Sequence, residues 1–127
     1  MGLLLDTHVF YWAVKASDRL SAVHRQLIEN RRDPVYVSAV TGWEIAIKVK
    51  LGRWPEAQAL LPDLAGLVVR SGLQTIEITL AQAERAGSLD LVHRDPFDRL
   101  RAAQALDLDI PIATVDRAFA MFGCKIV

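Results

Sequence analysis

Apolar residues along this chain alternate between short unbroken runs and longer stretches with helical spacing, the pattern of strands joined by helices. Residues 2–5, Gly-Leu-Leu-Leu, form an apolar run closed by Asp6-Thr7-His8. A run without polar alternation suits a strand covered on both faces, as in a parallel sheet. Residues 9–15 read as a short helix and 21–32 as a second, with Ser21 as its N-cap and Pro34 as its stop. Val35-Tyr36-Val37, β-branched and aromatic, is the second strand, and Ser38 stands where a strand-to-helix turn takes a capping hydroxyl. Across 39–51, Val40, Trp43 and Ile47 fall at i, i+3 and i+7, one helix face that carries Trp43 into the core, and Gly52 closes it. The spacing then predicts a helical stretch over 55–70 broken at Gly72, a third strand over 75–78, a helix over 80–86 and a polar loop over 88–96. A helix over 97–106, a fourth strand over 111–114, one or two helical turns over 118–122 and a closing edge strand over 125–127 complete the chain.

Strands separated by helices imply crossover connections. The expected fold is therefore α/β, a three-layer α/β/α sandwich around a central, mostly parallel sheet of four to five strands. Ligands of such sheets sit beyond the carboxyl ends of the strands, which puts Asp6, Ser38 and Asp116 at one edge.

A length of 127 residues fits one domain over 1–127, and 52% hydrophobic against 24% charged residues excludes disordered and low-complexity classes. Fifteen Lys and Arg balance fifteen Asp and Glu, so any contact with nucleic acid is local and not the work of a basic field. One cysteine, Cys124, cannot form an intrachain disulfide and points to the cytoplasm. The apolar opening meets Asp6 after five residues, short of the roughly 7–15 of a signal segment or the roughly 20 of a membrane span.

Four carboxylates from distant segments converge on the expected edge: Asp6 after the first strand, Glu44 within the helix after the second, Asp98 opening the helix after the polar loop, and Asp116 after the fourth strand. A cluster of oxygen donors is what Mg²⁺ or Mn²⁺ selects, and such an ion supports phosphoryl hydrolysis by activating water and offsetting phosphodiester charge. Each acid also has a structural reading. Asp6 is a favoured N-cap, Glu44 can pair with Lys48 at i+4, Asp95 and Asp98 can serve a helix N-terminus, and Asp116 can be a turn residue. Their joint placement favours chemistry. His8, His24 and His93 show no zinc-ligand spacing.

Leu3-Leu4-Leu5-Asp6-Thr7-His8, Ser38-Ala39-Val40-Thr41-Gly42-Trp43-Glu44-Ile45, His93-Arg94-Asp95-Pro96-Phe97-Asp98-Arg99-Leu100 with Ala102-Ala103-Gln104-Ala105, and Ala113-Thr114-Val115-Asp116 resemble, in order and spacing, the PIN-domain family. More narrowly they resemble the VapC-type toxins of type II toxin–antitoxin pairs. The resemblance implies a PIN-like fold and a Mg²⁺- or Mn²⁺-dependent endoribonuclease with Asp6, Glu44 and Asp98 as principal metal ligands and Asp116 as a fourth. It implies secondary polar roles for Thr7, Ser38 and Thr114, and as partners RNA, a small antitoxin that sends a basic side chain into the acidic site, and a second copy in a homodimer. Asp95 stays outside the core set. His93, Arg94, Arg99, Arg101 and Arg117 surround the acidic segments, and Arg99 is the best placed of them for an RNA phosphate. Trp12 and Trp54 suit a core or a partner groove.

Three other functions compete. A haloacid dehalogenase-like phosphatase needs a second Asp two residues after Asp6, where His8 stands; a response-regulator receiver needs a pair of acids after the first strand, which offers one. The third is a PIN-like scaffold without activity, against which the four retained acids argue, and beside it stands a housekeeping PIN nuclease without an antitoxin.

Overall fold

The computed structural model describes residues 2–30, 32–90 and 93–127. Arg31, within the expected second helix, and Leu91 and Val92, within the expected polar loop, lie outside the described residues. The strands are β1 (Leu3–Leu5), β2 (Val35–Ser38), β3 (Gln74–Ile76) and β4 (Ile112–Ala113), and the helices α1 (Thr7–Lys15), α2 (Ala22–Glu29), α3 (Ala39–Lys50), α4 (Leu64–Arg70), α5 (Leu80–Ser88) and α6 (Pro96–Leu108). All strand pairs are parallel, in the order β3-β2-β1-β4. Ile126 makes one further parallel bridge to Ile112, the remnant of the expected closing strand.

Successive residues of β1 serve opposite faces, so this short strand ties together two cores. Leu3 and Leu5 pack with Val9, Phe10, Ile28, Ile45, Leu60 and Val68 on one face. Leu4 packs with Ala102, Ala105, Ile110 and Phe119 on the other. Helices therefore cover both faces of a parallel sheet, as the strand–helix alternation requires.

Two local expectations change. The stretch over 55–70 is not one helix: a 3-10 segment, Pro55–Leu60, precedes α4. Pro62 has no N–H to donate within a helix, and Asp63 begins the new one by accepting from the Gly66 N–H at 3.0 Å. The face of α3 is also rotated. Val40, Thr41, Glu44 and Ile45 are buried, whereas Trp43, expected in the core, is 57% exposed and meets the Phe97 ring edge-on at 4.8 Å between centroids. Apolar spacing pointed the helix the wrong way because its inward face carries two polar residues.

The chain leaves β1 for β2 on one side and reaches β4 on the other, so the sheet order reverses at β1. Crevices for ligands form at such reversals, beyond the carboxyl ends of the strands. Asp6 and Thr114 lie there.

Candidate active site

Asp6 follows β1 directly and is held in extended conformation as the N-cap of α1. Its Oδ1 accepts from the Thr7 N–H at 2.7 Å and its Oδ2 from the Thr114 hydroxyl at 2.8 Å. Thr114 in turn accepts from the Asp116 N–H at 2.9 Å, and Asp116 caps the following 3-10 segment through the Ala118 N–H. The ends of β1 and β4 are thus joined by a chain of carboxylate, hydroxyl and amide.

Glu44 reaches the same place from the second turn of α3 and is nearly buried, at 4% exposure. Its Oε1 accepts from the Thr7 hydroxyl at 2.7 Å and is paired with Arg101; its Oε2 is paired with Lys48. Burial alone pushes this carboxyl up. The Arg101 guanidinium, with hydrogen bonds from Lys48 and Thr7, overcomes that and holds it at about 2. The i+4 pairing with Lys48 is real, but on a buried acid it is not merely a surface contact.

Asp98 lies in the first turn of α6, which Asp95 caps by accepting from the Phe97 and Asp98 N–H groups at 2.9 and 3.3 Å. Asp98 Oδ1 accepts from Arg101 Nη1 at 2.9 Å, and Oδ2 lies 2.8 Å from His93 Nε2. Here burial prevails and raises the pKa, offset only in part by His93 and Arg101. The bond to Asp98 raises His93 in return, against the pull of burial.

The fold therefore brings Asp6, Glu44 and Asp98 around one guanidinium, with Thr7 and Thr114 as the hydroxyls that orient them. Asp116 joins through Asp98: donor atoms of His93, Asp98 and Asp116 all lie within 4.8 Å of one another. Ser38 is placed differently. It caps α3 by accepting from the Val40 N–H at 3.1 Å and donates to Gln104, and neither bond reaches a carboxylate.

Arg99 requires a correction. Its side chain is buried and donates to the backbone carbonyls of Ala86, Gly87, Leu89, Asp90 and His93. A guanidinium committed to five carbonyls secures the approach to α6 and is not displayed for an RNA phosphate. What spacing missed is that Arg101 and His93, two of the basic residues around the acidic segments, pair directly with the acids. Arg101 passes as one more helix-surface cation, although its place three residues after Asp98, one turn along the same face, was a usable signal. His93 lies five residues before Asp98 across the turn into α6, and no ligand-spacing rule covers that arrangement.

The donor set suits a hard divalent cation: carboxylate oxygens with one imidazole, around a carboxyl, Asp98, that the protein leaves partly uncompensated. His93, Asp98 and Asp116, whose donor atoms lie within 4.8 Å of one another, are the residues that would hold it.

A carboxylate cluster at the carboxyl edge of a parallel sheet, joined through threonines to two strands, defines a nuclease-like α/β domain, and the PIN domain model matches residues 3–123. The chain belongs to the PIN-domain family. Ribonuclease VapC22 of Mycobacterium tuberculosis is 33% identical over 117 residues, 91% of this chain and 87% of that protein. The fold is also that of VapBC2 from Rickettsia felis bound to a promoter DNA fragment (TM-score 0.72, 15% identity, 100% of this chain and 98% of the other). FitAcB from Neisseria gonorrhoeae has a TM-score of 0.62 at 20% identity, covering 98% and 95% of the two chains. The sarcin–ricin loop-cleaving toxin VapC20 of Mycobacterium tuberculosis has a TM-score of 0.67 at 15% identity, covering 96% and 95%. Family membership sets aside the phosphatase and receiver alternatives.

Proposed function

We propose that this protein is the toxin of a VapBC-type pair, one PIN domain over residues 1–127 acting as a Mg²⁺- or Mn²⁺-dependent endoribonuclease. The observation that carries the proposal is the convergence of Asp6, Glu44, Asp98 and Asp116 at the sheet reversal of a chain related over most of its length to a VapC ribonuclease. A divalent cation, when bound, supplies Lewis acidity toward water and toward the phosphodiester.

The chain's own groups prepare that chemistry. Thr114 and the Thr7 amide fix both oxygens of Asp6, so its orientation is set before substrate arrives. Thr7, Lys48 and Arg101 hold Glu44 ionised. His93 fixes the outward oxygen of Asp98. No serine or cysteine joins this group: Ser38 bonds elsewhere, and Cys124 is buried with its thiol pushed up to about 11 by desolvation, far from a thiolate nucleophile. Hydrolysis by water is therefore the reading, and it leaves 5′-phosphate and 3′-hydroxyl ends.

The partner is a small antitoxin whose apolar segment docks beside the site and whose Arg or Lys pairs with its carboxylates. The exposed stripe of Trp43 and Ile47 on α3 with Leu51 at its C-cap, beside Glu44 and Phe97, is the surface suited to such a segment, and the active form is a homodimer. No described helix is long and apolar enough to cross a membrane, and the proposed compartment is the cytoplasm.

Incubating the purified chain with RNA tests the enzymatic part. Cleavage with Mn²⁺ or Mg²⁺, abolition by excess chelator and by Asp6→Asn, and absence of 2′,3′-cyclic phosphate ends are expected; undiminished cleavage in chelator refutes it. Co-expression with the product of a small adjacent gene should restore growth and yield a complex. If cleavage persists and no such partner binds, a housekeeping PIN nuclease replaces the toxin.

A further inference from the structure

Arg101 lies on α6 with none of its side chain exposed. Its Nη1 donates to Asp98 at 2.9 Å and lies 3.8 Å from Asp6 Oδ1. Its Nη2 serves Glu44 and the Thr7 hydroxyl, and the Thr41 hydroxyl at 3.1 Å. Three acids, Asp6 from the end of β1, Glu44 from α3 and Asp98 from α6, therefore converge on one guanidinium. A surface arginine would turn away from the site into water, but both terminal nitrogens of this one are met by acids and hydroxyls of the site, while its buried Nε has no hydrogen-bond partner. Leaving Nε bare is a cost, borne alongside the contacts of both terminal nitrogens with the acids.

The surroundings divide the acids into two positions. Inside, Glu44 has one oxygen on Arg101 and Thr7 and the other on Lys48, so it has no oxygen free of a cation. Toward the rim, the outward oxygen of Asp98 meets His93, within reach of Asp116.

We propose that Arg101 is a permanent counter-cation built into the acidic site: it fills the inner position among Asp6, Glu44 and Asp98, so that the chain takes one exchangeable divalent cation, at the rim, and takes it more weakly than the acids alone would. Arg101 is thus a positioning residue that sets cation number and affinity. The protein gains a site that stays assembled without metal, since three carboxylates at this separation would otherwise repel one another, and it loses affinity through repulsion between the guanidinium and the incoming ion. This inference rests on the reading of the acids as a divalent-cation site.

Titration calorimetry of the full chain with MnCl₂, together with Mn²⁺ paramagnetic resonance to count bound ions, tests it without reference to cleavage. The wild-type chain should bind one Mn²⁺. Arg101→Met should bind Mn²⁺ about tenfold more tightly or better, as expected when a positive charge beside the ion is removed. It should also melt at lower temperature in chelator and gain more from saturating Mn²⁺ than wild type does. Arg101→Lys, which keeps the charge, should retain the wild-type affinity. Two Mn²⁺ ions on the wild-type chain overturn the inference whether or not any variant folds, as does a folded Arg101→Met with wild-type affinity, or an Arg101→Lys that gains tenfold. In each of those results the metal site itself survives. Absence of Mn²⁺ binding by wild type and variants alike removes the cation site first, and the inference with it.

Discussion

Two acids of one cluster should respond to neutralisation with opposite signs. A carboxyl such as Glu44, whose pKa drops from 4.5 to about 2 on folding, contributes about 3 kcal/mol to stability at neutral pH. Because the folded-state value is the depressed one, this contribution is complete above about pH 4.5 and disappears as pH falls toward 2. Glu44→Gln should therefore cost about 3 kcal/mol at pH 7, a fall of roughly 10 °C in melting temperature for a chain of this size. The gap from wild type should close on acidification through that window. Asp98 has a raised pKa caused first by burial, so its ionised form is the strained one, and Asp98→Asn should leave stability unchanged or higher at pH 7 while abolishing cleavage. Urea unfolding of the three proteins in chelator at stepped pH reads both effects. If Glu44→Gln matches wild type at pH 7, or its deficit is the same at pH 3 as at pH 7, the attraction of Arg101 and Lys48 does not exceed the cost of burying Glu44, and the reasoning fails.

Two other substitutions separate structural from chemical roles. Arg99→Met leaves five backbone carbonyls without their donor and should cost about 2–4 kcal/mol with no change in the salt dependence of RNA binding; a weaker salt slope at wild-type stability would return Arg99 to the RNA surface. Asp95→Ser retains a capping oxygen and should keep both stability and cleavage, whereas Asp95→Ala should lose about 1 kcal/mol; loss of cleavage in a stable Asp95→Ser would make Asp95 an acid of the site.

The order of strands and helices was legible because β1, β2 and β4 carry short apolar runs that are almost wholly buried; β3, Gln74–Ile76, is an exposed edge strand and showed only in the Thr-Ile alternation around it. Asp6, Asp98 and Asp116 were legible because each closely follows a strand or opens a helix, where the chain's own register points them at one edge, and Glu44 because it stands in the second turn of the helix that leaves β2 at that edge. What could not be read came from side chains whose burial contradicts their type. On α3 the inward positions include Thr41 and Glu44, so counting apolar residues placed Trp43 inside. On α6, Arg99 and Arg101 are both buried, yet one serves carbonyls of the preceding loop and the other serves carboxylates from three elements. The only local difference is the i,i+3 step from Asp98 to Arg101; the other hydrogen-bond partners of Arg101 lie 57 to 94 residues away in the chain, whereas those of Arg99 lie within 13.

The structural and chemical readings of these acids also prove not to be alternatives. Asp6 caps α1 with one oxygen while Thr114 holds the other, and Asp98 sits in the first turn of α6 with Asp95 as its cap. A carboxylate at a helix N-terminus is favoured by the helix dipole, so the fold stabilises negative charge at the positions where chemistry needs it. Two helix starts and one buried guanidinium together oppose the mutual repulsion that would drive such a cluster apart. Asp98 is where that compensation falls short, as its raised pKa records. The deficit lies toward His93 and Asp116, where an added positive charge gains most by arriving.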